Sequence, residues 1–295
     1  NPIWDNSGYL YVGRYGEGTV TIENGGRVEN TNGYIGIYAD AVGTVTVTGT
    51  GSTWDNNDDL YVGGWDTYRG TANISVQNGG TLSVTGDTKL YSDSTISLNG
   101  GTLRTSTLSA MDGTIADKLQ FNSGELNFTG PGGLVVDTNG FMGASVVVED
   151  NQTLRVDHTT TIPVGGLLSV DGGTLHTSAI FRTEGVLQLH SGELNLTGPG
   201  GLVVEASGPL GGSITVEGGQ TLRVDHATAI PTGGSLSVSG GSLITSVLQI
   251  DGGSFAAPDL SGVDHLTFNS GELNLTGPVG LVVDTNGPLG ALVAV

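Results

Sequence analysis

Along most of the chain, apolar residues alternate with Thr, Ser and other small polar residues for four to six positions, and glycine then ends the run. Val20 and Ile22, Val45 and Val47, and Ile74 and Val76 are three such pairs, each divided by Thr or Ser. Period-two alternation is the signature of a strand with one buried face. The Gly-Gly, Asn-Gly and Asp-Gly steps that follow supply the positive φ of tight corners. A leucine, valine or tryptophan after each corner forms a ruler: Val28, Trp54, Leu82, Leu103, Leu126, Leu154, Leu175, Leu194, Leu222, Leu243 and Leu273, with gaps of 19 to 30 residues. That spacing predicts one coil of a β-solenoid per gap, in which a coil buries its apolar face only by stacking on the next. Helix periodicity is almost absent. Leu108, Met111, Ile115 and Leu119 fit it best, but Gly113 interrupts them and predicts a loop.

Two families of repeat run in series. In residues 1–105, Trp4-Asp5-Asn6 and Leu10-Tyr11-Val12-Gly13 return 50 residues later as Trp54-Asp55-Asn56 and Leu60-Tyr61-Val62-Gly63. In residues 106–295, Leu154-Arg155-Val156-Asp157-His158 returns after 68 residues as Leu222-Arg223-Val224-Asp225-His226. Ser-Gly-Glu-Leu-Asn occurs at Ser123, Ser191 and Ser270, and the last step of 79 carries eleven extra residues around Val247–Leu266. The expected fold is all-β: a parallel β-solenoid of 11–12 coils in one continuous rod. A β-sandwich of hairpins is the alternative for Asn-Gly and Asp-Gly turns, but sandwiches do not repeat every 68 residues. Both ends fall inside a repeat: Asn1–Trp4 aligns with Gly51–Trp54, and Gly287–Gly290 with Gly208–Gly211. The expectation is an excerpt of a longer chain, or a subunit that pairs with its own kind end to end or laterally.

Composition narrows the function. The 295 residues include 52 Gly and no Cys, and 29 acidic against 9 basic residues give a net charge of -20. A basic surface that neutralises phosphates is excluded as a nucleic-acid partner, and thiolate metal sites and disulfides are excluded outright. No apolar stretch approaches the roughly 20 residues of a membrane span.

Three sets of residues are candidates for chemistry. Arg155-x-Asp157-His158 and its copy Arg223-x-Asp225-His226 could supply an acid or base, as in sugar-active β-helices. A duplicated motif lacks the single assembled geometry of paired carboxylates, so an exposed i,i+2 ion pair is the preferred reading. Glu125, Glu193 and Glu272, with Asp137, Glu205 and Asp284, could bind calcium through oxygen ligands. No cofactor is expected, with Ca2+ as the alternative, because the dense Gly-Gly-x-Gly-x-Asp nonapeptide is missing. Asn127, Asn195, Asn274, Asn73 and Asn151 lie in Asn-x-Ser/Thr sequons, read first as outward polar positions. Trp4, Trp54, Trp65, Tyr9, Tyr11, Tyr34, Tyr38, Tyr61, Tyr68 and Tyr91 crowd the first third, and neither Trp nor Tyr occurs after residue 91. Trp4 and Trp54 are expected in the core. Tyr11, Tyr61 and Trp65 are expected outside, as possible contacts to surface glycans, because Leu10, Val12, Leu60 and Val62 take the inward positions.

The run Thr44–Trp54, then Leu60-Tyr61-Val62-Gly63 and Gly79-Gly80-Thr81-Leu82, resembles the T-V-x-G-x-G-S-x-W…L-x-V-G repeats of autotransporter passenger domains and other large bacterial surface proteins. The resemblance implies a right-handed parallel β-helix, export to the cell surface, and an adhesive or structural role with no fixed catalytic residues. The functional expectation is therefore a non-enzymatic, extracellular structural or adhesive solenoid. The rivals are a polysaccharide lyase or glycosidase, with a site in the irregular stretches Thr107–Lys118 or Val247–His265, and a carbohydrate-binding rod.

Overall fold

A computed structural model describes residues 2–91, 93–278 and 288. The chain is all-β and forms a parallel β-solenoid of about 12 turns. It divides into two compact units, residues 1–146 with 150–158, and residues 147–149 with 159–295.

In the first unit each coil presents three short faces, and strands on each face pair in parallel with their counterparts in the next coil. Val20, Val45, Ile74, Ile96 and Leu119 are successive partners on one face. Trp4, Val28, Trp54, Leu82, Leu103, Leu126 and Leu154 follow one another on the second. Val12, Ile35, Val62, Leu90 and Ala110 line the third. The ruler residues are thus a column of directly stacked side chains, each worth about 1.5–3 kcal/mol on full burial. Trp54 is fully buried, as expected, but Trp4 is 50 % exposed. The expected core position fails there because Trp4 packs on Val28 on one side only.

The Trp-Asp-Asn motif now has a physical reason. Trp54 and Asn56 point inward and Asp55 points out, where it pairs with Arg27 at 2.8 Å. Inside the corner, Trp54 Nε1 donates to Asn30 Oδ1 at 2.6 Å and Asn30 Nδ2 to Asn56 Oδ1 at 2.5 Å. Asn56 Nδ2 then donates to the carbonyls of Asp58 and Asp59. The buried amides satisfy main-chain groups that the bend takes out of the ladder.

In the second unit, Leu175, Leu194, Leu222 and Leu243 form a column. The ruler breaks after it: Leu273 stacks on Phe255, which stacks on Leu236, on a different face. The third Ser-Gly-Glu-Leu-Asn copy, which follows eleven extra residues, therefore lies on a different side of the coil from the second. Nor is Val247–His265 an irregular insert, because the strand Ser242–Ala257 covers most of it. Thr107–Lys118 does contain a strand, Thr107–Ala110, and a single 3-10 turn, Ile115–Asp117, in place of a helix.

One coil of this unit is incompletely joined. Leu167–Val170 pairs with Val186–Leu189, and Ser213–Glu217 with Ser235–Ser239. Among the described residues no ladder joins Val186–Leu189 to Ser213–Glu217. A cavity of about 210 Å³ lies there, lined by Leu187, Leu189, Ile214 and Val216, with Leu210 and Arg182 at its margin. Gln220 clips the two strands together, donating from Nε2 to Leu189 O at 2.5 Å and accepting from Glu217 N at 2.7 Å.

Glycine is required at the corners before the second face. Gly124 has φ +99° and Gly192 φ +87°, and a Cβ on either would lie 2.1 Å from the carbonyl oxygen of the coil beneath, Gly101 or Gly173. Both the left-handed backbone and the close approach exclude a side chain.

Candidate functional site

The third face of the first unit carries a row of tyrosines outward. Leu10, Val12, Leu60 and Val62 are buried, and the residue between each pair projects away from the core. Strand pairing places Tyr11, Tyr34 and Tyr61 directly above one another. Their rings stack at 5.0 Å and 16° (Tyr11–Tyr34) and at 5.0 Å and 3° (Tyr34–Tyr61). Both ends of the stack meet a cation. The Arg14 guanidinium lies 4.6 Å from the Tyr11 centroid, and Lys89 Nζ lies 4.9 Å from that of Tyr61. Within the ladder the ring faces are occupied by one another and by these cations.

Burial is the main cause that pushes the Tyr34 phenol up to about 12, with Tyr61, Tyr11, Tyr9 and Asp59 adding to it. Burial likewise raises Tyr61. For Asp59 burial acts upward, but the Lys89 ammonium and the Asp87 N–H override it, and the carboxyl ends below its usual range. Burial acts downward on Lys89, and its bond to Asp59 reverses that.

A second group stands outside the ladder. Gly64–Trp65 and Tyr68–Arg69 form a small antiparallel hairpin that projects from the coil, with Asp66 at φ +55° in its turn. Trp65 and Tyr68 are 41 % and 45 % exposed, with planes 13° apart and centroids 6.3 Å apart. Tyr38 meets Tyr68 edge-on at 4.7 Å and stacks on Tyr15 at 4.6 Å. Tyr15 is an exposed member that the sequence reading passed over. Only the side-by-side arrangement of coils reveals that it belongs with Tyr38. The hairpin's base is fixed by Arg69, which donates to the carbonyls of Asp66 and Tyr68, pairs with Asp112 at 3.3 Å, and lies over the Tyr91 ring at 4.6 Å. Asp112 also pairs with buried Lys118, whose Nζ donates to Tyr91 O at 3.0 Å.

The other candidates fall into structural roles. Arg155 pairs with Asp157 at 2.9 Å, the expected i,i+2 contact, while its copy Arg223 reaches Glu193 of the neighbouring coil at 3.0 Å instead of Asp225. His158 and His226 are exposed within strands, so neither begins a turn. Asp137 accepts from the N–H groups of Asn139 and Gly140, and Glu205 accepts from Ser207. Glu125 is half-buried, Glu272 is exposed, and Asp284 lies outside the described residues. Among the described residues no group of three His, Asp or Glu side chains converges as a metal site would require.

Asn127 and Asn195 hold the outward positions of their strands, between inward Leu126 and Phe128 and between Leu194 and Leu196, but are buried there, whereas Asn73, Asn151 and Asn274 are exposed. Each buried amide lies in a strand between longer neighbours: Asn127 between Arg104 and Arg155, Asn195 between His176 and Arg223. An open groove of about 510 Å³ borders the Thr107–Lys118 stretch, but its lining, including Ser109, Thr114, Asn139 and Met142, contains no ionisable side chain. No helix among the described residues is long and apolar enough to cross a membrane.

Compared with known proteins, the chain matches no family model, no curated protein and no solved structure.

Proposed function

We propose that this chain is a non-enzymatic β-solenoid that serves as a structural and adhesive element on the outside of a bacterial cell, in the manner of the passenger repeats it resembles. The observation that carries the reading is the gathering of Tyr9, Tyr11, Tyr15, Tyr34, Tyr38, Tyr61, Trp65 and Tyr68 on one flank of a scaffold built from uniform ladders. Exposed aromatic patches of this kind mark interaction surfaces. Asp55, Asp59, Asp112, Asp157 and Glu193 serve ion pairs, and Asp137 and Glu205 serve turns, which supports a binding role over a hydrolytic one.

Labelling intact cells of the producing organism with antibody to this chain tests the location. Labelling without permeabilisation is expected, and labelling only after permeabilisation overturns it. Release of new reducing or unsaturated sugar ends from polysaccharides by the purified chain would overturn the non-enzymatic part.

A further inference from the structure

The aromatic flank is not one uniform surface. The Tyr11–Tyr34–Tyr61 ladder is closed face to face and capped by Arg14 and Lys89, so it offers mainly ring edges and hydroxyls. Trp65 and Tyr68 differ. They stand on a hairpin of their own, both are exposed, and they stack on one another with an offset, planes 13° and centres 6.3 Å apart.

The hairpin is also held in place before any ligand arrives. Arg69 ties its two ends together through the carbonyls of Asp66 and Tyr68, and anchors them to the coil through Asp112 and the Tyr91 ring. Lys118, buried beneath, holds Asp112 and the Tyr91 carbonyl from the other side. Preorganisation of this kind lowers the ordering cost of binding.

Charge decides which glycans fit. Around the hairpin, Arg27 pairs with Asp55 and Glu29, Arg69 with Asp112 and Lys89 with Asp59, while Arg14 lies over the Tyr11 and Tyr15 rings. Asp66, exposed in the hairpin turn, adds a carboxylate beside the two rings. The chain as a whole carries a net charge of -20. A sulfated or uronate-rich polymer would meet net repulsion from that charge. An uncharged glycan would place its C–H faces on the rings and its hydroxyls against Asp66 and the tyrosine hydroxyls.

We infer that Trp65 and Tyr68 form a two-ring platform for uncharged hexose or N-acetylhexosamine chains, a deepening that rests on the adhesive reading above. The platform differs from the expected set of Tyr11, Tyr61 and Trp65: Trp65 remains, Tyr68 joins it, and Tyr11 and Tyr61 belong to the internal ladder.

The test is retention of the purified chain on insoluble β-glucan, chitin and mannan, with heparin and polygalacturonate as polyanionic probes. Retention on at least one uncharged polymer is expected. Trp65→Ala and Tyr68→Ala should each weaken it about tenfold, the scale of one lost aromatic contact. Trp65→Phe should fall between. Circular dichroism confirms that each variant is folded, which the outward position of the hairpin favours. Full affinity in folded Trp65→Ala and Tyr68→Ala, retention on the polyanions alone, or retention on no polymer would each overturn the platform. None of these outcomes alters the cell-labelling result, so the two readings fail separately.

Discussion

The side-chain amide of Gln220 replaces a missing strand pairing by donating to the Leu189 carbonyl at 2.5 Å while its oxygen accepts from Glu217 N. Gln152 makes the corresponding bond to Phe121 O, also at 2.5 Å, in the first unit. Glutamine therefore recurs where the main chain would otherwise leave a polar group unpaired beside the core. Gln220→Ala should destabilise by about 1–3 kcal/mol, the cost of unsatisfied main-chain groups. Gln220→Glu should cost at least as much, because a carboxylate cannot donate to Leu189 O. Urea midpoints measure both, and an unchanged midpoint in both variants would show that the clip contributes nothing.

The tyrosine ladder makes a prediction about alkali. A raised phenol pKa means the neutral ring is favoured in the folded chain. The stability from Tyr34 and Tyr61 is therefore whole below about pH 10, the unfolded value. It should be lost as pH rises from there through the folded value, about 12 for Tyr34. Absorbance titration of phenolate should show Tyr34→Phe removing a late-titrating tyrosine. If that variant instead removes one titrating near pH 10, the ladder's packing is not as described.

A pair of inward threonines gives an asymmetric test. Thr228 donates to Thr245 Oγ1 at 3.0 Å, and Thr245 Oγ1 is itself within hydrogen-bonding reach of the carbonyls of His226 and Val247. Thr228→Val leaves Thr245 with its acceptors and should cost under about 1 kcal/mol, while Thr245→Val strands a buried hydroxyl and should cost about 1–3 kcal/mol. Thermal or urea unfolding of the two variants decides it, and equal losses would contradict the donor order.

Two glycines should behave oppositely. Gly192→Ala forces a Cβ to within 2.1 Å of Gly173 O in a left-handed backbone and should cost more than about 2 kcal/mol. Gly132→Ala meets nothing within 4 Å and carries no positive φ, so it should be neutral or stabilise by about 0.4–1 kcal/mol. Similar unfolding midpoints for the two variants would remove the corner argument.

Much of the fold was legible in residue order because a solenoid repeats one local rule. Alternation set which side chains face inward, glycine set the corners, and the columns from Val28 to Leu154 and from Leu175 to Leu243 follow directly. The rule is the same on every side of a coil, so it does not say which side a motif occupies. That is why Leu273 was assigned to the wrong column: its side depends on the accumulated residue count from the preceding corners.

The aromatic site was legible as a crowd and not as a geometry. Outward placement of Tyr11, Tyr61 and Trp65 follows from their apolar neighbours, whereas the occupied faces of the ladder, the pairing of Trp65 with Tyr68 and the place of Tyr15 do not. The ladder and the Tyr15–Tyr38 pair depend on neighbours about 23 to 27 residues away in sequence and one strand spacing away in space, and Trp65 meets Tyr68 through a local hairpin. The sequence by itself determined an all-β, stacked, acidic chain with its aromatics at one end of the residue order, because period and composition are local properties. Only the tertiary structure decided which rings are free and which are spent on each other, because ring contacts between coils are set by register.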